Sequence, residues 1–494
     1  MRQTLLSVGL AVCPALALCQ QPVPAHLSLA DAIALAREHN PVYRQTIHDR
    51  APAAWGARSA YSSLLIPTVT ASGGLGYAGP GQQNFLTSSF SQTVSTWSSN
   101  YSFALAWTLN GQTLTQPGLK GAQLTAADAD IAGAETNLVT AVTQQYLTVL
   151  QARDNAAVAR KQLDVNTEFQ ALARARYDVG RASLIDVRQA QVARGQAEVA
   201  LLRAQTAVQV EKLRLFQQMG VTAPVDVAGI QLTDSFTVQT PTWQLTDLLA
   251  MAEQQNPSLK ALRARERAAS WGVRAAKSSW GPSVALSAGW FGFTQKYSNL
   301  DPVIAGLRAG ASADSAACDF ENTYWLNAPG PGTLPCPALT GANLQQQEQA
   351  LRNRSAAYPF HFTPEPFQAR LTITLPLWTN FQQPLQVSQA KAQQLDLQES
   401  VRARGLQLQT DVNQAYLTVV TAARAIVIQD TSRTAGREQL QLATERYRVG
   451  SGTFFDLLNA EVQALQAETD YINAVYDYHK AVAALEAAVG RPLR

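Results

Sequence analysis

Two hydrophobic periods alternate along the chain. Tyr101, Phe103, Leu105, Trp107 and Leu109 interleave with Ser102, Ala104, Ala106, Thr108 and Asn110. Phe367, Ala369, Leu371, Ile373 and Leu375 interleave in the same way with Gln368, Arg370, Thr372 and Thr374. Thr68 to Tyr77 and Ser283 to Trp290 alternate less sharply. A period of two with one apolar face predicts strands over 68–77, 101–110, 283–293 and 367–377. Elsewhere the period is longer. Leu408, Val412, Ala415, Val419, Ala422 and Ile426 step by four and three, and Leu138, Val142, Gln145, Val149 and Ala152 keep the same steps. That spacing is a seam of helix packed on helix. No proline lies between Pro117 and Pro224, or between Pro384 and Pro492, although the chain has 23. Proline breaks helix interiors, so both stretches are predicted to be helical. Each of these, 118–218 and 385–489, divides once, at Gly180 and at Gly450, where glycine can close a helix in a left-handed cap. Ser183-Leu184-Ile185-Asp186 and Thr453-Phe454-Phe455-Asp456 then open the following helices as capping boxes. Two helical hairpins result, with first arms of about 60 residues, on the order of 90 Å, and second arms of about 36.

The chain is written twice. Asn40-Pro41 leads to Trp55-Gly56-Ala57-Arg58, and Asn256-Pro257 leads at the same spacing to Trp271-Gly272-Val273-Arg274. Tyr146-Leu147-Thr148-Val149 recurs as Tyr416-Leu417-Thr418-Val419, and Arg176-Tyr177-Asp178-Val179-Gly180 as Arg446-Tyr447-Arg448-Val449-Gly450. The copies span 27–234 and 243–494. Each reads as a short helix, a helix after Asn-Pro, a strand pair and a hairpin. The second copy carries an insertion, 294–366, rich in Gly, Ala, Asn and Pro, which is expected to be an extended surface loop.

Composition narrows the function. Charged residues make up 15% and the formal net charge is +3, so no basic nucleic-acid surface is expected. Residues 1–19 begin with Arg2 and an apolar run, as a secretory signal does. Leu16-Ala17-Leu18-Cys19 loosely matches a lipoprotein cleavage box, which would put a lipid on Cys19. Cys318 and Cys336 both fall in the insertion, and in an exported chain a disulfide between them is expected. No mature apolar run is long enough for a transmembrane helix, so a membrane crossing would have to be a barrel. The alternating strands alone fit a soluble sandwich equally well. Aromatic residues near their ends, Tyr77, Tyr101, Trp290, Phe367 and Trp378, favour the membrane. Four strands cannot close a barrel, since the smallest have about eight, so several chains would contribute. The five histidines show no metal-ligand spacing, and nucleotide and hydrolase motifs are missing, so neither an enzyme nor a cofactor is expected. His479, among alanines, is expected to face solvent. A periplasmic coiled-coil adaptor or scaffold is the alternative; it would leave the strand pairs unexplained.

In order and duplication the chain resembles the TolC family of outer-membrane factors. The matching residues are Leu29-Ala30-Asp31-Ala32 with Asn40-Pro41, Pro376-Leu377-Trp378 after the last strand, and the two Arg-Tyr-x-x-Gly turns. The resemblance implies a mixed membrane β-barrel and α-helical barrel, closed by trimerisation into 12 strands and a 12-helix tunnel through the periplasm. It implies an outer-membrane export channel in contact with lipid, served by a periplasmic adaptor (a membrane fusion protein) and an inner-membrane transporter that supplies the energy. By the same resemblance the hairpin turns at Gly180, Gly450 and Gly452 form the entrance, and Asp456 narrows it. Asn459 stands where the family carries a second acid. Tyr447 would hydrogen-bond to Asp186 on a neighbouring hairpin. Gly452 stands where a basic residue often assists.

Overall fold

The computed structural model describes residues 25–85, 88–92, 94–239, 241–326, 341–363 and 366–493. Residues 1–19, with Cys19, and Cys336 lie outside the described residues. The chain forms two units, one of residues 1–57, 118–270 and 390–494, the other of 58–117 and 271–389.

The first unit holds most of the residues of the long helices. Each copy opens with an 11-residue helix, α1 (Leu29–His39) and α5 (Leu245–Gln255). Each ends in a hairpin, α3 (Gly111–Asp178) with α4 (Leu184–Met219), and α9 (Gln382–Val449) with α10 (Phe454–Val489). The first arms are 68 residues long, more than expected, and the second arms 36. α3 starts ahead of Pro117 because Asn110 and Thr113 form a reciprocal cap. The Thr113 amide donates to Asn110 Oδ1 at 2.8 Å, and the Asn110 amide to Thr113 Oγ1 at 2.9 Å.

The repeated Asn-Pro pair has a structural reason. Pro41 and Pro257 are the first residues of α2 (Pro41–Leu65) and α6 (Pro257–Ser278), where a missing amide costs nothing. Asn40 Oδ1 accepts the Tyr43 amide at 3.0 Å, and Asn40 Nδ2 donates to the Gln218 carbonyl at 2.8 Å. In the second copy Asn256 Oδ1 accepts from the Ser258 amide, and Nδ2 donates to the Ala488 carbonyl at 3.0 Å. One side chain thus starts a helix and holds the end of another. Gly220 and Gly490, at φ +74° and +87°, end α4 and α10 against these joints. A Cβ on Gly220 would stand 2.6 Å from the His39 carbonyl oxygen. Short parallel strands, β1 (His26–Leu27) with β6 (Gln231–Leu232), close the first joint, and the Tyr146 hydroxyl donates to the Leu27 carbonyl at 2.9 Å.

The expected seams are the cores. Leu138, Val142 and Val149 are buried with Tyr146, Leu147 and Leu150, and Leu408, Val412, Val419 and Ile426 with Leu248, Tyr478 and Leu485. His479 corrects the reading above. It is buried, its ring 5.5 Å from Phe236 and 5.3 Å from Tyr478, because residues 234–239 cover that face of α10.

The second unit holds a four-stranded antiparallel sheet, in the order β2 (Thr68–Ala78), β5 (Thr96–Leu109), β7 (Ser283–Tyr297), β8 (Gln368–Thr374). The register aligns Val69 with Leu105, Trp107 with Leu286, Phe103 with Trp290, and Leu286 with Leu371. These apolar positions of all four strands therefore share one face. Thr70, Ser102, Ser287 and Arg370 lie on the other, with Phe291 and Phe293. One end of the apolar face is covered, with Ser99 and Thr294 buried and the Phe362 ring 4.8 Å from Tyr101, whereas Leu75, Phe103, Leu371 and Ile373 are exposed. The outer edges of β2 and β8 have no strand partner among the described residues.

Two expectations change in this unit. A hairpin, β3 (Gly81–Phe85) with β4 (Ser88–Gln92), follows β2, where none was expected. The 294–366 insertion is not an extended loop. β7 runs on to Tyr297, and then come α7 (Asp301–Leu326) and α8 (Gly341–Ala356). Ala and Gln supply helix propensity, and Arg308 grips Glu348 in a two-pronged ion pair at 2.5 and 2.9 Å. Cys318, on α7, is disulfide-bonded.

The joints set the expected stability effects. Asn256→Ala leaves the Ala488 carbonyl and two amides short of a partner, and is expected to cost about 1–3 kcal/mol in denaturant titration followed by helical circular dichroism. Gly220→Ala meets both positive φ and a backbone clash, and is expected to cost more than about 1 kcal/mol.

Candidate functional site: the hairpin turns

The two turns are built by the same local chemistry. Gly180 at φ +73° and Gly450 at φ +88° stop α3 and α9. The Arg181 amide reaches back to the Arg176 carbonyl at 2.7 Å, and the Ser451 amide to the Arg446 carbonyl at 2.9 Å, satisfying helix-end carbonyls. Gly452 adds a third amide on the Arg446 carbonyl at 3.1 Å. Both predicted capping boxes form. Ser183 Oγ accepts the Asp186 amide while the Asp186 carboxylate accepts the Ser183 amide. The Thr453 hydroxyl accepts the Asp456 amide at 3.1 Å and donates to the Asp456 carboxylate at 2.6 Å. The Thr453 hydroxyl and amide bonds hold the Asp456 carboxyl below its ordinary range. Asp456, on the first turn of α10, and Asn459, one turn later, are both exposed.

The equivalent tyrosines differ. Tyr177 is exposed, whereas Tyr447 is buried with Phe169, Ala173, Ala190, Phe454 and Leu457. Its ring lies 5.4 Å from Phe454. Arg176 of the first hairpin lays its guanidinium 4.4 Å over that ring and donates to the Tyr447 carbonyl, and to the Arg181 carbonyl at 3.1 Å. One cation thus ties the two turns together. The expected Tyr447–Asp186 hydrogen bond is not made within the chain. The Tyr447 hydroxyl has no partner among the described residues, and Asp186 is engaged at its own cap. Burial, and then the nearby Asp186 charge, push the Tyr447 hydroxyl pKa up.

A second tie lies further along the helices. Asn166 of α3 and Glu461 of α10 are buried, and Asn166 Nδ2 donates to the Glu461 carboxyl and to the Gln162 carbonyl. Burial pushes Glu461 up to about 7, against the lowering effect of the Asn166 bond. An ion pair of Arg437 with Glu468, at 2.6–2.9 Å, stands beside a cavity of about 90 Å³ lined by Val158, Val165, Leu440 and Glu461.

Sequence reasoning missed Arg176, Asn166 and Glu461. Arg176 was inside a recognised motif, but nothing local says which copy's arginine meets which tyrosine. The other two break the repeat at buried positions: at the spacing that equates Tyr177 with Tyr447, Asn166 answers to Gly436, and Glu461 to Gln191. Beside the turns, Leu184, Ile185, Val192, Phe455 and Leu458 line an open apolar groove between the starts of α4 and α10.

A sequence model of the outer membrane efflux protein family matches residues 32–221 and 339–491. Among solved structures, the outer-membrane channel OprN aligns at 18% identity over 94% of this chain and 89% of its own, with a TM-score of 0.68. The outer membrane protein VceC from Vibrio cholerae aligns at 19% over 94% and 97%, with a TM-score of 0.68. The open state of the MtrE outer membrane channel from Neisseria gonorrhoeae aligns at 18% over 94% and 89%, with a TM-score of 0.65. At these identities the structures share the fold.

Glu461 gives a pH test. Its pKa in the folded chain is above that of an exposed glutamate, so the fold holds the proton more tightly than the unfolded chain does. Its contribution is therefore full at low pH and fades as pH rises from about 4.5 to about 7. Hydrogen exchange at the hairpin ends is expected to slow, at matched intrinsic rates, from pH 8 to pH 5. Glu461→Gln should flatten that change; an unchanged pH response in the variant would contradict it.

Proposed function

From the premise that the chain belongs to the outer membrane efflux protein family, we propose that it works as one third of a closed export duct. The protein is an efflux channel subunit of the outer membrane. The sheet supports the trimer. It presents an apolar face in register across four strands, exposed over most of its length, and two edges without strand partners among the described residues. In hydrocarbon, open edges are not tolerated and a barrel is the remaining solution. Three copies of four strands give twelve. The same count of four long hairpin helices per copy gives a twelve-helix tunnel on the periplasmic side. A coiled-coil adaptor would have no use for such a face.

The hairpin turns are the periplasmic entrance in this reading. Threefold symmetry brings three Asp456 carboxylates, each held ionised by Thr453, towards one axis. Clustered carboxylates at a constriction attract cations and obstruct anions. Asn459 leaves a second ring uncharged. Arg176 on Tyr447 holds the turns together, in place of the basic residue that Gly452 lacks. The apolar groove at Leu184, Ile185 and Phe455 fits a periplasmic adaptor, through which an inner-membrane transporter supplies the energy.

Detergent-extracted protein is expected to sediment as a trimer, and a monodisperse monomer stable without detergent would contradict the reading. In a planar bilayer Asp456→Ala should lower cation selectivity and raise basal conductance. Ser183→Ala removes a cap without removing charge and should leave selectivity intact. If both variants change the pore alike, Asp456 is only a cap. The expected bond of Cys318 to Cys336 is checked by thiol labelling of unreduced, denatured protein, which should mark neither residue.

A further inference from the structure

Every carboxylate of the second unit falls between Asp301 and Glu365, within the insertion. Residues 58–117, 271–300 and 366–389 contain no Asp or Glu at all. On the side where helices meet strands, the charges are Arg58, Arg274 and Lys277, all cationic. Arg274 and Lys277 are exposed, have no carboxylate partner among the described residues, and lie within ten residues of the start of β7 at Ser283. The Arg274 guanidinium stacks 4.4 Å over the Trp271 ring.

The same strand ends carry exposed aromatic rings. Ser283 pairs with Thr374, so Trp280 just before β7 and Trp378 and Phe381 just after β8 flank one point of the sheet. The Gln383 side chain donates to the Ser279 carbonyl at 3.1 Å and ties the two segments together. Trp378 is 70% and Phe381 68% exposed. The turn that displays them is strained at one residue: Asn380 and Phe381 have φ of +47° and +63°, a left-handed conformation that asparagine tolerates and phenylalanine seldom adopts. Trp378 Nε1 donates to Asn380 Oδ1 at 2.9 Å, and the two rings meet edge to face at 5.0 Å. A strained turn that displays two large rings to the surroundings is explained if those surroundings are a membrane interface.

We propose that this rim binds phospholipid headgroups of the periplasm-facing leaflet and selects anionic ones. Trp280, Trp378 and Phe381 set the depth, and Arg274 and Lys277 take the phosphate and the extra negative charge. The inference rests on the membrane reading above. An acid-free rim has nothing to repel an anionic lipid, and each nearby cation adds attraction that salt screens.

The test uses full-length protein reconstituted in phosphatidylcholine vesicles, with quenching of tryptophan fluorescence by brominated phosphatidylglycerol compared with brominated phosphatidylcholine. Wild type is expected to prefer phosphatidylglycerol by roughly 5-fold or more, falling at high salt. Arg274→Gln/Lys277→Gln should lose most of the preference while still inserting and conducting. Trp378→Ala/Phe381→Ala should reduce quenching by both lipids alike. Equal preference in the charge variant, or none in wild type, would overturn the inference alone. Failure of the protein to insert would overturn it together with the membrane reading.

Discussion

Backbone amides and carbonyls at the edge of a sheet need partners, and hydrocarbon offers none. Among the described residues β2 and β8 each present such an edge, and the apolar face they bound is exposed at Leu75, Phe103, Leu371 and Ile373. Most of the architecture follows from satisfying that one demand. A single chain of four strands cannot curl far enough to join β8 to β2, so in the duct proposed above closure comes from other copies. With closure shared in that way, each helical hairpin would be one stave of a symmetric wall. That would explain why its seams are apolar on one side while Leu395, Leu406, Leu417 and Ile428 stand exposed along α9.

Duplication solves part of the same problem. Two copies of one design provide two strand pairs and two hairpins with matching lengths, 68 and 36 residues each. The Asn-Pro joint repeats because it does three jobs with two residues: it caps one helix, anchors another and fixes the angle of the chain. The copies then diverge where equivalence would be a handicap. Tyr447 is buried under Arg176 while its twin Tyr177 faces out, and only the second hairpin carries the buried Glu461. In the proposed duct an entrance that opens and closes would need contacts between unlike partners, and the repeat provides a frame on which to differentiate them.

Much of the fold was legible because its signals are local. Glycine at positive φ, Ser or Thr three residues before Asp, and a proline-free run each state a backbone requirement within a few residues. Both turns and both capping boxes were therefore placed correctly. The early start of α3 was missed because the Asn110–Thr113 cap outweighs Pro117. The insertion was misread because Gly and Pro among its residues mask the helix-forming Ala and Gln of α7 and α8. Contacts across the hairpins were illegible. Arg176 on Tyr447, Asn166 on Glu461 and the covering of His479 depend on which surfaces meet, and no pattern along the chain encodes that.

The central claim is that the free edge of β2 pairs with the free edge of β8 of another copy. Cysteines placed at Thr70 on β2 and Thr372 on β8, both on the polar face, test it directly by disulfide trapping in native membranes. The double variant is expected to run as a covalent trimer on a non-reducing gel, and each single variant as a monomer. A double variant that remains monomeric, or that ladders without stopping at three, would contradict the account.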